Sequence, residues 1–390
     1  MKHPTKRDTK LVHAGSHPEK NHGIVNPAIY HASTVSYPTM KDFEEKRADP
    51  INNFLYGRHG TPTARDFQEA VATIEGGDRT VAVGSGLAAI SVAMLAFVGT
   101  GDHVLVCDNA YGPTRRLCED FLKRFGVETT YYDPLIGAGI EDLIRPNTNT
   151  IYVESPGSHT FEIQDIPAIT DTVHKHGVKV VMDNTWSAGY YFKPFDHGVD
   201  VSVQAATKYY VAHSDAMLGT VTFMEKDTET VIDTARVLGN NAAPDDAYLG
   251  LRGMRTLSAR LARHQKTGLQ LAEWFKGRPE VDRVLHPALP DCPGHKIWQR
   301  DFTGSSGLFS VVFKKCSPAG MAALVDGLEL FALGGSWGGF ESLVLPTNAT
   351  RTVTEWHDNG RCVRFHAGLE DPDDLIEDLA AGVKRLTAAG

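Results

Sequence analysis

Apolar residues are unevenly spread along the chain. From about Thr61 they gather into short runs of strand length, separated by stretches with helical spacing. The runs are TVAV from Thr80, HVLVC from His103, ETTYYD from Glu128, TIYVES from Thr150, VKVVMDN from Val178, DVSVQAA from Asp200 and GTVTFM from Gly219. Several are apolar on both alternations, which suits strands buried on both faces of a mostly parallel sheet. Helical spacing fills 87–98, 114–125 and 166–176. Strand–helix–strand alternation predicts an α/β fold, in which ligands sit beyond the carboxyl ends of the strands.

The pattern changes at both ends. Up to about Gly60 the chain holds Pro18, Pro27, Pro38 and Pro50 and shows no sustained period. Such a segment is an arm that borrows order from the core or from another subunit. After about Arg255 the alternation loosens: a helical stretch over 257–276, the β-like runs RVLHP and GLFSVVF, a helix over 319–327, the segment GGSWGG and a last helix over 372–386. The expected organisation is an N-terminal arm over residues 1–60 that contacts a neighbouring subunit, an α/β domain over 61–255, and a smaller C-terminal α+β domain over 256–390. No internal repeat or low-complexity tract interrupts it.

Charge and cysteine usage narrow the function classes. The 390 residues carry a formal charge of -9. No basic stripe offers itself to nucleic acid, although small anions need only a few local cations or a helix N-terminus. Cys107, Cys118, Cys292, Cys316 and Cys362 are scattered, with no C-x-x-C pair, so neither a disulfide framework nor a zinc site is expected. The 17 histidines show no H-E-x-x-H spacing, and no metal is expected. The opening MKHPTKRDTK has no signal-peptide apolar region, and the apolar run over 87–98 is short of the ~20 residues of a membrane span. A cytoplasmic protein, with no membrane or nucleic-acid partner, is the expectation.

Three strand ends carry chemistry. Asp183 closes VKVVMD, so its carboxylate emerges from the core. A buried carboxylate is costly unless paired with a cation such as a protonated pyridine nitrogen, although capping the next turn with Asn184 is an equal alternative. Lys208 follows DVSVQAAT and precedes two tyrosines. Burial lowers a lysine's pKa and makes a Schiff-base amine, while most lysines simply snorkel to solvent. Ser85–Ala89, SGLAA, lies between a strand and a helix, where small residues let a phosphate approach the free N–H groups of the first turn, or simply let helix and sheet pack closely. Tyr111, four residues past HVLVC, can stack on a flat ring or serve as an ordinary aromatic. Asp183 and Lys208 end neighbouring strand segments, so both can face one cavity. Phosphate seat, aromatic, carboxylate and lysine together suit one cofactor, pyridoxal 5'-phosphate. No G-x-G-x-x-G follows a strand, which disfavours a dehydrogenase.

The sequence resembles the Cys/Met-metabolism pyridoxal-phosphate enzymes of fold type I, and among them the bacterial cystathionine β-lyases most. The likeness covers nearly the whole chain. It rests on YGRHGTPT from Tyr56, SGLAA from Ser85, VMDNTWSAG from Val181, QAATKYYVAHSDAMLG from Gln204, GMRTL from Gly253, DFTGSSGLFS from Asp301, SWGGFESL from Ser336 and VRFHAGLEDPDDL from Val363. QAATKY and SWGGFESL are specific, whereas SGLAA is not.

The resemblance implies a mostly parallel seven-stranded sheet between helices, with a smaller C-terminal α+β domain. It implies that Lys208 carries the cofactor as a Schiff base and that Asp183 pairs with the pyridine nitrogen. Tyr111 would stack on the ring, and Gly86, Leu87 and Thr207 would hold the phosphate. Tyr56 and Arg58 would reach the phosphate of a neighbouring subunit's cofactor, in a homotetramer built as a dimer of dimers with shared active sites. Lys208, Tyr111 and Tyr56 form the implied catalytic group. Arg364 would clamp the substrate α-carboxylate, with Ser336, Trp337 and Tyr111 around the substrate. The implied reaction is α,β-elimination at a carbon–sulfur bond of an amino acid. Relatives acting at the γ-carbon commonly show Ser-Leu-Gly where this chain has Ser336-Trp337-Gly338, so Trp337 favours the β-lyases over the γ-acting alternatives. Gly335 departs from the Tyr usual before that pair, which widens the pocket and leaves the substrate open. An aminotransferase is disfavoured by QAATKY and SWGGFESL. A degenerate binding protein is disfavoured by the presence of Asp183, Lys208 and Arg364.

Overall fold

In the computed structural model, which describes residues 5–389, every one of the seven apolar runs becomes a strand. They are β1 (Arg79–Val83), β2 (His103–Cys107), β3 (Glu128–Tyr132), β4 (Thr148–Glu154), β5 (Lys179–Asp183), β6 (Val201–Gln204) and β7 (Gly219–Phe223). The sheet order is β1-β7-β6-β5-β4-β2-β3. Strand β7 alone runs against both neighbours, and the remaining pairs are parallel. Every residue of β2, β6 and β7 is buried. This is why those runs lack a polar alternation: helices cover both faces, leaving no side for water. The carboxyl ends of β2, β4, β5 and β6 therefore open on one edge of the sheet.

A second sheet follows, formed by β8 (Val281–Leu285), β9 (Leu308–Phe313), β10 (Ala332–Leu333), β11 (Leu343–Thr347) and β12 (Cys362–His366), in the order β10-β11-β12-β9-β8. The long helix Leu257–Lys276 and the last helix, Pro372–Ala389, cover it over a core that includes Phe275, Phe309, Phe313 and Phe365. Among the described residues, no helix is long and apolar enough to cross a membrane.

Two expectations about local structure are corrected. The stretch 114–125 is not one helix. It starts as an α-helix over Gly112–Arg116, widens to a π-helix over Leu117–Phe121 and tightens to a 3-10 turn over Leu122–Phe125. The extra residue per turn of the π segment shifts the phase. Cys118 and Leu122 then both enter the core, while Phe121 and Phe125 pair outside it at 5.0 Å between centroids. The N-terminal segment is also not wholly irregular, since helices run over Arg7–His13 and Met40–Ala48. The first hides Leu11 completely, and its carboxyl end is clasped by Arg255, whose Nη1 donates to the carbonyls of Leu11, Val12 and Ala14. The second buries nothing in this chain, and Ile24, Val25, Tyr30 and Met40 nearby in sequence are exposed.

One carboxylate ties the two sheets together. Asp108, just past β2, is fully buried. It accepts the backbone N–H groups of Thr352, Val353 and Thr354, the Thr354 hydroxyl and the Arg115 guanidinium. Burial pushes this carboxyl up, but the donors from Thr354, Val353 and Thr352 outweigh it and hold it below the usual range. A depressed carboxyl stabilises the fold above its ordinary titration and loses that contribution as pH falls through the folded value. Asp108→Asn should therefore cost about 2–4 kcal/mol at neutral pH, with the gap from wild type narrowing below about pH 4. Chemical denaturation at both pH values measures it, and an equal gap at both would refute the assignment.

Candidate active site

The edge where β2, β4, β5 and β6 end carries two acids side by side. Asp183 closes β5, and its ladder partner Glu154 closes β4. Asp183 sits deep in the molecule and meets solvent only through the cavity in front of it. Its partners are uncharged donors: the Thr185 N–H at 2.9 Å, the Thr185 hydroxyl at 2.5 Å and the Tyr152 hydroxyl at 3.4 Å. Burial pushes its carboxyl up, and the Thr185 bonds hold it back. Glu154 is pushed well above the usual carboxylate range, first by burial and then by Asp183.

Lys208 lies four residues past the end of β6, not directly on it. The intervening turn is fixed by its own backbone: Lys208 N–H donates to Ala205 O at 2.9 Å, and Thr207 N–H to Leu218 O at 3.0 Å. This turn presses on the start of the helix Gly86–Leu95, where a Cβ on Gly86 would meet Ala205 Cβ at 2.6 Å, so only glycine permits the approach. The Lys208 amine donates to Ser336 Oγ at 2.7 Å and lies 5.6 Å from the Trp337 ring centroid. Burial first, then the Arg364 charge, lower it from 10.5 to about 8.

Arg364 comes from the second sheet, at the middle of β12. Its partners are the carbonyl oxygens of Gly335 at 2.9 Å and Ser336 at 3.2 Å. It is nine-tenths hidden, and burial lowers it to about 10. A buried guanidinium whose partners are all neutral keeps bidentate capacity for a carboxylate from outside.

Asp183, Lys208 and Thr207 line one cavity of about 560 Å³. So do Gly86, Leu87 and Tyr111 from the first sheet's edge, and Ser336, Trp337 and Arg364 from the second part of the chain. Tyr56 and Arg58 do not line it. The Tyr56 hydroxyl accepts from Ser33 Oγ at 3.3 Å on an exposed surface, and Arg58 donates to Arg236 O at 2.6 Å. The roles expected of these two need a second copy of the chain. Gly335 also borders the cavity, and a Cβ there would meet nothing within 4 Å.

Two lining residues escaped the sequence reading. Glu154 accepts the Tyr111 N–H at 2.7 Å and so fixes where that ring leaves the strand edge. It closes TIYVE as Asp183 closes VKVVMD, so the same strand-end rule would have found it. His159, in the loop after β4, also borders the cavity, and its loop carries no sequence signal for such a role.

Comparison with known proteins decides what this geometry belongs to. The family profile described as "Cys/Met metabolism PLP-dependent enzyme" matches residues 8–384. The chain belongs to that family. Within the Cys/Met metabolism enzymes it is 44% identical to cystathionine β-lyase MetC of Escherichia coli, over 98% of this chain and 99% of that one. It is 39% identical to an L-alanine/L-glutamate racemase of Wolbachia pipientis, over 98% of each. Among solved structures, the cystathionine γ-synthase of Xanthomonas oryzae pv. oryzae, crystallised with aminoacrylate and cysteine, superposes with a TM-score of 0.92 at 30% identity and covers 100% of both chains. The architecture is the fold type I of pyridoxal-phosphate enzymes, and the cofactor is pyridoxal 5'-phosphate.

The cavity fits that group. Ser85 Oγ takes the Ala88 N–H at 3.1 Å, which leaves the Gly86 and Leu87 amides without helix partners and free for a phosphate. Asp183 lacks a cation within ion-pair distance, as a carboxylate awaiting a protonated ring nitrogen must. Lys208 offers an amine that burial has made easy to deprotonate.

The sign of the Lys208 shift makes a stability prediction. A cation with a lowered pKa costs the fold most below about pH 8, where folded and unfolded chains both carry the proton; the cost vanishes above 10.5, where neither does. In cofactor-free protein, Lys208→Met should raise stability by roughly 1–3 kcal/mol at pH 7, and the gain should fade as pH rises from 8 to 10.5. Denaturant titration across that window checks it; a gain independent of pH would contradict the assigned cause.

Proposed function

We propose that this protein is a cystathionine β-lyase, cleaving the β-carbon–sulfur bond of L-cystathionine to homocysteine, pyruvate and ammonia. The observation that carries the reading is one cavity holding a weakly basic lysine amine and an arginine without a counter-ion, one from each sheet region. Relatives bearing that name support it, and so does Trp337 between Ser336 and Gly338.

Bound pyridoxal phosphate supplies an electron sink for charge developing at the substrate α-carbon. The chain's residues do the rest. Asp183 keeps a proton on the ring nitrogen, the phosphate rests on the Gly86 and Leu87 amides with the Thr207 hydroxyl, and Tyr111 covers the ring face. Arg364 takes the substrate α-carboxylate and so fixes which substituents point at Lys208. The Lys208 amine accepts the α-proton and returns a proton to the departing sulfur. A group titrating near 8 can do both close to neutrality. Ser336 Oγ, at 2.7 Å, holds that amine over the cavity between the two transfers.

In this reading residues 1–60 form an arm that crosses to a second copy and 61–255 and 256–390 are separate domains. Tyr56 and Arg58 then reach the neighbouring cofactor's phosphate, and the assembly is a dimer of dimers. The exposed Ile24, Val25, Tyr30 and Met40 suit such a covered surface. Five unpaired cysteines suit a reducing cytoplasm.

Incubation of the cofactor-loaded protein with L-cystathionine should yield pyruvate and homocysteine; 2-oxobutyrate and cysteine would move it to the γ-acting relatives. Lys208→Ala should lose the visible absorbance of the cofactor and at least about 1000-fold in kcat. Arg364→Ala should raise KM by about 10- to 100-fold with a smaller change in kcat. A Lys208→Ala protein that kept colour and turnover would overturn the reading.

A further inference from the structure

His159 lies in the loop between β4 and the helix Ile166–Val173, with φ at +64°. A histidine in that region is strained, and such strain persists only where the surroundings enforce it. They do so from several sides. Gly157 N–H donates to Glu162 O and Ser158 N–H to Asn109 O, at 3.0 and 2.9 Å. Arg351 Nη2 bonds Thr160 Oγ1 at 2.7 Å and Glu162 Oε1 at 2.6 Å, and Phe161 is buried. The loop is held rigidly in an unfavourable conformation, and the side chain it delivers goes to the cavity wall rather than to the core.

The ring has an asymmetry that points to a ligand. Nδ1 is enclosed and has no hydrogen-bond partner. Nε2 is then the one ring nitrogen able to meet something in the cavity. An enclosed N–H without an acceptor is rarer and costlier than an enclosed lone pair, so the proton belongs on Nε2. Burial, and after it the Arg364 charge, lower the ring to about 4, which leaves a neutral donor at pH 7. The other charged or titratable groups on this cavity are Tyr111, Glu154, Asp183 and Lys208. Arg364 is the one whose charge acts on the ring, so the two share a neighbourhood.

We propose that His159 is a second reader of the substrate α-carboxylate, donating from Nε2 into the space that Arg364 faces. A neutral donor next to a guanidinium without a counter-ion is complementary to a carboxylate and to no other part of an amino acid. This deepens the β-lyase reading and rests on its assignment of Arg364. It makes His159 a binding residue that fixes orientation, with no part in proton transfer.

Glycine, which carries an α-carboxylate and no side chain, isolates the contact. Calorimetric titration of cofactor-loaded protein with glycine should show His159→Gln within about threefold of wild type, because its amide nitrogen stands where Nε2 stands. His159→Asn places its nitrogen at the level of Nδ1 and should bind glycine about 10- to 100-fold more weakly. Asparagine adopts positive φ readily, so this variant keeps the loop even if His159→Leu fails to fold. KM for L-cystathionine should rise in the same proportion in His159→Asn, with kcat changed less than about threefold. Glycine affinity of His159→Asn within twofold of wild type overturns the proposal, as does a loss confined to kcat or a wild type that does not bind glycine. A wild type that binds glycine but makes no pyruvate from cystathionine sinks the β-lyase reading and leaves the glycine series to judge His159 alone.

Discussion

The site depends on charges buried without opposite charges beside them. Asp183 is satisfied by hydroxyls and an amide, Arg364 by carbonyl oxygens, and Lys208 by a serine hydroxyl. A fold selected for stability alone would pair these groups or replace them, since isolated buried charge is expensive. Here the pairing is deferred to the ligands. The carboxylate awaits a cationic ring nitrogen and the guanidinium awaits a carboxylate, so binding relieves electrostatic cost that folding has already incurred. This is the sense in which the cavity is prepared for a zwitterionic substrate and a cationic heterocycle.

The scaffold keeps these charges apart by drawing them from different sheets. Asp183 and Glu154 leave adjacent parallel strands, and Lys208 rides on the turn after β6. Arg364 stands on β12, across from them. Gly86 allows the helix start to close on the turn that carries Lys208. The loop before β12 is anchored to Asp108, which fixes how the second sheet addresses the first. The positions of the amine and the guanidinium thus follow from backbone contacts rather than from side-chain flexibility.

Most of the first sheet was legible, because doubly covered strands advertise themselves as runs apolar on both alternations. Asp183 could be found because it interrupts such a run at its end. Lys208 could be found by sequence but placed only approximately, since the turn between Gln204 and Lys208 has no periodicity to read. Arg364 was invisible to pattern: it sits inside a strand whose neighbours are apolar, and only resemblance assigned it. The π segment near Cys118 was lost because apolar spacing of three and four residues does not distinguish an α-helix from one with an inserted residue. His159 was lost because positive φ at a non-glycine residue is set by contacts from Asn109 and Arg351, which are distant in sequence.

The clasp of Arg255 on the carboxyl end of the helix Arg7–His13 bears on how the molecule is assembled during synthesis. That helix emerges early, yet its last carbonyls find their donor only after some two hundred and forty further residues have left the ribosome. Until then the N-terminal segment has no anchor on its own chain and stays available to another molecule. Intermolecular exchange of the arm is therefore the natural competitor of its correct docking, and high local concentrations of nascent chains would favour the exchange.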